Sequence, residues 1–297
     1  MKKLFYFILL VFLSSPFSLK SQEVIEIPPL FEYPVAPEDI ASLTERCDYL
    51  VKNFWNAFDF KRKDPVDQYA LNEAFKVYSS TMPYATRKEV DLSVDKLIEK
   101  ISGNPILLLQ FCKAADVNLY GPNADFWSDD IYIKFLEAVI KNKKVPQSRK
   151  TKYEAQLKTL QGSLVGSNAP SFDFTDVNGN KKTYFSMTTP TLLFFGNPDD
   201  TDWRLARLRM DSNFNLEDAL SKGKINILYI VPFKSENWKA NVSNYNKYWT
   251  IGNNDEISTI YDIRLDPAIY LIGSDGKILN KNLSVEQAVG AVLQLVN

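Results

Sequence analysis

The sequence predicts an all-helical domain followed by an α/β domain whose central mixed sheet is flanked by helices. Three observations carry this. Residues 37–162 string together segments whose apolar residues recur at steps of three and four. After Leu164 the texture changes to short β-rich runs alternating with helical ones. Two of those runs, TLLFFGN at 191–197 and INILYIVPF at 225–233, are continuously apolar, as strands buried on both faces are. A length of 297 residues, about twice the usual single-domain size, also favours two cores over one.

Residues 1–21 read as a secretory signal. Lys2 and Lys3 form its positive start, Leu4 to Leu13 is an unbroken apolar run, and a polar stretch ends near Ser21. That run is too short for a permanent membrane helix, and no later segment has the roughly eighteen uncharged apolar residues a span requires. No Cys follows it to accept a lipid. The expectation is an exported chain, periplasmic or secreted, with no transmembrane anchor after cleavage. Residues 22–36 are a linker, 37–162 the helical domain and 163–297 the α/β domain.

The helical segments are 37–58, 65–79, 84–102, 105–120, 129–142 and 146–161, separated by Pro, Gly, Asn and Asp clusters. Asn104 is placed to cap the fourth, with Pro105 at its first helical position. The insert GPNADFWSDDIY at 121–132 ends in an N-cap at Ser128 or Asp129, so Asp125, Asp129 and Asp130 read as acids serving a helix start. The basic run KNKKVPQSRKTK at 141–152 reads as a solvated connection around Pro146.

In the second half, Asn178-Gly179 between two alternating runs marks a hairpin over 172–185. Strand 191–197 is followed by a helix from Asp202 to Leu220, strand 225–233 by a helix over 235–249, and a hairpin at 268–280 turns at Ser274-Asp275-Gly276. A helix from Ser284 to Leu295 closes the chain.

Composition narrows the chemistry. With 35 Lys+Arg against 36 Asp+Glu there is no basic surplus for a phosphate backbone, which excludes nucleic acid as a partner. His 0 removes every Ser-His-Asp or Cys-His mechanism and the commonest zinc ligand. No metal site or cofactor is expected. Cys47 and Cys112 both fall on apolar helix faces, which suits two core thiols, with a structural disulfide between them as the alternative.

The segment VGSNAPSFDFTDVNGN at 165–180 resembles the G-x-x-A-P-x-F-x-L-x-D-x-x-G start of TlpA/ResA-like thioredoxin and peroxiredoxin-related proteins. YDIRLDPAIYLIGSDGKI at 261–278 resembles their Y-x-I-x-x-x-P-x-x-Y-L-I-D-x-x-G-x-I segment. With YLVKNFWNAFDF at 49–60, the whole is similar to exported bacterial proteins that join a helical domain of unknown function to a thioredoxin-like module. The resemblance implies a thioredoxin-like fold and a cis proline at Pro267.

It fails at the active-site position. Redox-active members follow the strand with Cys-x-x-Cys at a helix start, where the thiol pKa is lowered. This chain reads NPDDTDWRLARL, which puts Asp200 and Trp203 where the two sulfurs would stand. Thiol-disulfide exchange needs thiolate attack, which a carboxylate cannot supply. Asp199, Asp200 and Asp202 read as capping acids, with Arg204, Arg207 and Arg209 close enough on the helix to neutralise them. The expectation is a redox-inactive binding or scaffold module for a protein or peptide partner of the cell envelope. Its binding surface is Asn197, Pro198, Asp199, Asp202, Asp266 and Pro267 beside Trp203. A thiol-disulfide oxidoreductase using Cys47 and Cys112, or a partner's thiols, is the alternative. A third reading places a carbohydrate or peptide groove near Phe126 and Trp127.

Overall fold

A computed structural model describes residues 28–185, 188–233, 238, 239 and 242–296. The proposed signal segment lies outside the described residues, and no described helix is long and apolar enough to cross a membrane.

The first half is helical: α1 (Leu43–Asn53), α2 (Gln68–Thr81), α3 (Arg87–Ser102), α4 (Pro105–Ala115), α5 (Asp129–Lys141) and α6 (Gln147–Gly162). Small polar side chains start most of them. Asp67 accepts from the Ala70 amide, Thr86 from that of Glu89, and Asn104 from those of Ile106 and Leu107, with Pro105 behind it. The first helix begins later than periodicity suggested, because Ser42 caps it. The apolar residues that seemed to continue it past Asn53 lie on a 3₁₀ turn, Phe54–Ala57. That turn carries Trp55 into the core, where Phe31, Phe54, Phe58, Phe75, Tyr78 and Phe111 surround it at centroid distances of 4.9–6.2 Å. The last turn of the fourth predicted helix widens into a π-turn, Asp116–Tyr120.

The second half is one sheet of seven strands: β1 (Phe172–Asp176), β2 (Lys181–Tyr184), β3 (Thr191–Phe195), β4 (Asn226–Val231), β5 (Trp249–Asn253), β6 (Ala268–Ile272) and β7 (Ile278–Lys281), in the order β2-β1-β5-β4-β3-β6-β7. β3 pairs parallel to β4 and antiparallel to β6, so it is central and buried along its length. Its two faces feed two cores. Leu192 and Phe194 pack under α7 (Thr201–Asp211), α8 (Phe214–Ser221) and α9 (Val285–Val296). Leu193 and Phe195 lie with Tyr270 under the segment that carries Ile257 and Tyr261.

Two expectations for this half are corrected. The single helix over 202–220 is two, because Asn213 accepts from the Leu216 amide and restarts the chain as α8. Of the helix expected over 235–249, the described part holds only a 3₁₀ turn, Val242–Asn244, and Trp249 begins β5. Asn244 and Asn246 are poor helix residues. The edge of β4 offers Trp249–Asn253 a full parallel register, Ile227↔Trp249 to Val231↔Asn253.

Gly252 on β5 lies under the Phe174 ring, where an added Cβ would sit 2.3 Å from Cδ2. Gly252→Ala is therefore expected to destabilise the fold by about 1–3 kcal/mol through overpacking. Urea unfolding checks this as a lower midpoint at unchanged slope.

Candidate functional site

β3 ends at Phe195, and the chain leaves the sheet through Gly196 into the loop that starts α7. Gly196 has no room for a side chain: a Cβ there would lie 2.3 Å from Trp203 Cδ1 and 2.7 Å from Asp266 Oδ1. Asp200 is the N-cap of α7, its carboxylate accepting from the backbone N–H of Asp202 at 2.8 Å and of Trp203 at 3.1 Å. Trp203 is 1% exposed, stacked on Phe194 at 5.8 Å and 4.7 Å from the Tyr229 ring centroid. One residue of the pair thus ties off the helix start, and the other fills the space beneath it with an indole.

Across from the loop, the Asp266–Pro267 peptide bond is cis. The Asn197 N–H donates to Asp266 Oδ1 at 3.0 Å, joining the two loops. Between the start of α7 and the residues after β7 runs a groove of 420 Å³ lined by Asp202, Arg209, Leu265, Asp266, Pro267 and Leu283. The structure therefore joins Asn197 to Asp266 and sets Asp202, Asp266 and Pro267 along one groove, with Trp203 buried at the start of α7.

The arginines of α7 do not neutralise these acids. Arg207 pairs with Asp211 at 2.8 Å and Arg209 with Glu286 at 3.3 Å, while Arg204 donates to Thr201. Partial burial raises the Asp266 carboxyl above its ordinary value. The Asn197 amide opposes this, and Asp200 and Asp202 add to it.

Cys47 and Cys112 are both free and buried, so the disulfide is not formed. α1 packs mainly on α2 and α3, while α4 packs on α2, α3 and α5, which leaves the two thiols on helices that are not principal neighbours. Burial pushes both thiols up, Cys47 with help from Asp48 and Cys112 with help from Asp116.

A buried charge network that no sequence motif signals joins the two halves. Arg264, 2% exposed in its side chain, donates to Asp262 and, at 2.6 Å, to Asp129 at the start of α5. Lys281 at the end of β7 donates to Asp129 at 2.5 Å and to Asp262 at 3.0 Å. The Tyr120 hydroxyl donates to Asp262 at 3.0 Å, and the Arg264 guanidinium lies 3.8 Å over the Tyr120 ring. Burial alone would raise Asp262, yet the hydrogen bonds from Arg264 and the charge of Lys281 hold it below the ordinary carboxylate value. Asp129 therefore faces the other half of the molecule. Asp130 instead accepts from Ser128 at 2.5 Å and pairs with Arg87, and Ser128 makes no side-chain cap bond. Asp125 pairs with Lys76 at 3.2 Å on the surface, and the Trp127 indole donates to the Gly121 carbonyl at 2.9 Å. Nothing in the local pattern distinguished Asp129 from a capping acid, since its partners lie 135 and 152 residues away in sequence.

A family model described as a domain of unknown function, DUF5106, matches residues 14–163. No curated protein matches the chain. Among solved structures, a thioredoxin-like protein from Bacteroides caccae is 20% identical with a TM-score of 0.74, covering 89% of this chain and 98% of its own. The thioredoxin domain of a thiol-disulfide oxidoreductase from Bacteroides vulgatus is 23% identical with a TM-score of 0.40, covering 45% of this chain and 99% of its own. A thiol-disulfide oxidoreductase from Bacteroides fragilis is 20% identical with a TM-score of 0.36, covering 43% and 99%. The first of these establishes the thioredoxin-like fold of the second half.

Removing one partner of a buried network leaves charges uncompensated. Arg264→Met is expected to cost about 3–5 kcal/mol, measured by denaturant unfolding. The two carboxylates should differ in their pH behaviour. Asp262 has a lowered folded value, so its contribution is present above the unfolded value of about 3.9 and is lost as pH falls through the folded one. Asp266 has a raised folded value, so its contribution is complete below the unfolded value and lost as pH rises through the folded one. Asp266→Asn keeps an acceptor for Asn197 and should raise Tm at pH 7. That gain should shrink toward pH 4 in a pH series of thermal melts.

Proposed function

The chain belongs to the DUF5106 family, and from that premise, joined to its thioredoxin-like second half, we propose that it is an exported binding or scaffold protein of the cell envelope whose module has lost redox chemistry. The observation that carries this is the pair Asp200 and Trp203. A carboxylate capping α7 and an indole sealed under it stand where the attacking and resolving sulfurs of redox-active members would be.

The only two cysteines support the same reading. Both are buried in the helical half, where burial pushes both thiols up, away from the thiolate that attacks a disulfide. What the module keeps is the groove beside the cis Asp266–Pro267 bond. An extended segment of a partner pairs its backbone with the loop before the proline there, a form of strand addition that needs no sulfur. Domain limits of 37–162 and 163–297 belong to the same proposal.

An insulin-reduction assay tests it. The native protein should show no reductase activity, and Asp200→Cys with Trp203→Cys should show some, since the restored Cys-x-x-Cys would lie at a helix start that lowers a thiol pKa. Losing the packed indole costs about 3–5 kcal/mol, so Asp200→Cys alone, which keeps it, provides a second readout. That thiol should react with a disulfide reagent far faster than Cys47 or Cys112. Reductase activity of the native protein that disappears in Cys47→Ser or Cys112→Ser would establish the oxidoreductase reading instead.

A further inference from the structure

A second groove lies in the helical half, far from the thioredoxin-like loops in sequence and outside everything proposed above. It is formed by α4 and α6 and has a volume of 780 Å³. α4 contributes Ile106, Leu109, Gln110 and Lys113, which are spaced i, i+3, i+4 and i+7 and therefore form one stripe of the helix. The opposite side of α4 is spent on the core through Leu107, Leu108, Phe111 and Cys112. α6 contributes Arg149, Lys152, Tyr153 and Ala155.

The groove exists because α6 leans elsewhere. It packs on α5 and on the turn at Ile257–Thr259, and it buries only Tyr153 and Leu160. The side of α4 that faces it stays open, leaving Ile106 48% exposed. Gln110 is no free donor, because its amide is engaged with both backbone groups of Val66, at 3.0 and 2.5 Å. The floor is therefore Ile106, Leu109 and the Tyr153 ring, and the rim is cationic.

Three cations line it, Lys113, Arg149 and Lys152, and no acid does. Among the described residues none of the three takes part in an ion pair, although six other lysines and four arginines do. Lys152 Nζ sits 4.6 Å over the Tyr153 ring, held by an aromatic face and not by a carboxylate. The volume lies inside the roughly 300–1,000 Å³ range of clefts that take small ligands.

We propose that the α4–α6 groove binds a single-chain anionic amphiphile of the long-chain carboxylate type. The alkyl chain lies along Ile106, Leu109 and Tyr153, where its removal from water drives binding. The head group lies between Lys113, Arg149 and Lys152, where charge complementarity fixes its orientation.

The test uses the full protein and dodecanoate as probe, below its aggregation threshold, with binding followed by calorimetry and by displacement of the anionic dye ANS. The expected results are saturable binding, weaker binding as salt rises because the cations are exposed, and at least tenfold weaker binding to Arg149→Glu with Lys152→Glu. Those positions are on the surface, so the variant should keep its circular dichroism and melting temperature. Leu109→Gln should weaken dodecanoate and the uncharged 1-dodecanol alike, whereas charge reversal should weaken dodecanoate only. The proposal is overturned by any of three results: no dodecanoate binding, an affinity within twofold in the charge-reversed protein, or equal affinity for 1-dodecanol. A glutamate-rich amphipathic peptide that displaces ANS at lower concentration than dodecanoate would also overturn it, assigning the groove to a protein partner.

Discussion

Asp129, Asp262, Arg264 and Lys281 form a charge-balanced network with side chains no more than 14% exposed, and the relation between the two halves depends on it. Taking four charges out of water costs several kcal/mol per ion, recovered only when geometry is good and the remaining polar atoms are satisfied. Here they are satisfied. Asp262 accepts from both cations and from Tyr120, its own N–H donates to Ser163 at 2.9 Å, and its carbonyl accepts from Tyr270 at 2.5 Å. Such a network contributes little net stability compared with an apolar contact of equal volume, but it permits far fewer arrangements. It sets one orientation of helix α5 against the sheet.

That constraint reaches the groove of the second half. Asp262 and Arg264 sit just before Leu265, Asp266 and Pro267, which form one wall. Lys281 sits just before Asn282, Leu283 and Ser284, which line the other. Both walls thus leave the network within a few residues, and both are anchored to Asp129 of the helical half. Displacing α5 would move the two sides of the groove together. The helical half is in this sense part of the groove's scaffold, although none of its residues lines it.

Much of this was legible in the sequence where local chemistry decides. Asn178-Gly179 marks its hairpin because Gly179 takes φ +85, and Asn104 with Pro105 marks the start of α4 because a cap and a missing amide suit that position. The apolar run of β3 announces a strand covered on both faces. Where long-range pairing decides, the signal fades. β5 carries no strand signal of its own, and the expected helix runs up to its first residue, Trp249, because its strand identity comes from the free edge of β4; Asp129 looked like a capping acid because a helix start and a salt bridge select the same residue type. Asn197, Asp202, Asp266 and Pro267 were reached through the family resemblance of two motifs, while the proposed binding surface in the helical half had no motif at all.

The start of α7 is held by a cap and by a packed ring. A thiolate at a helix start is stabilised by the orphan N–H groups and the positive end of the helix dipole. Asp200 uses the same two features and accepts two amides, an arrangement worth about 1 kcal/mol at an N-cap. Trp203 then occupies the volume beneath and is accommodated only because Gly196 lacks a side chain. Its ring stacks on Phe194 of β3 and packs on Tyr229 of β4, so the start of α7 is fixed to the centre of the sheet. The Trp203 side chain is immobilised by this packing, and the loop above it gains a rigid floor. A surface held this firmly suits recognition of an extended segment, because less conformational freedom remains to be lost when that segment binds.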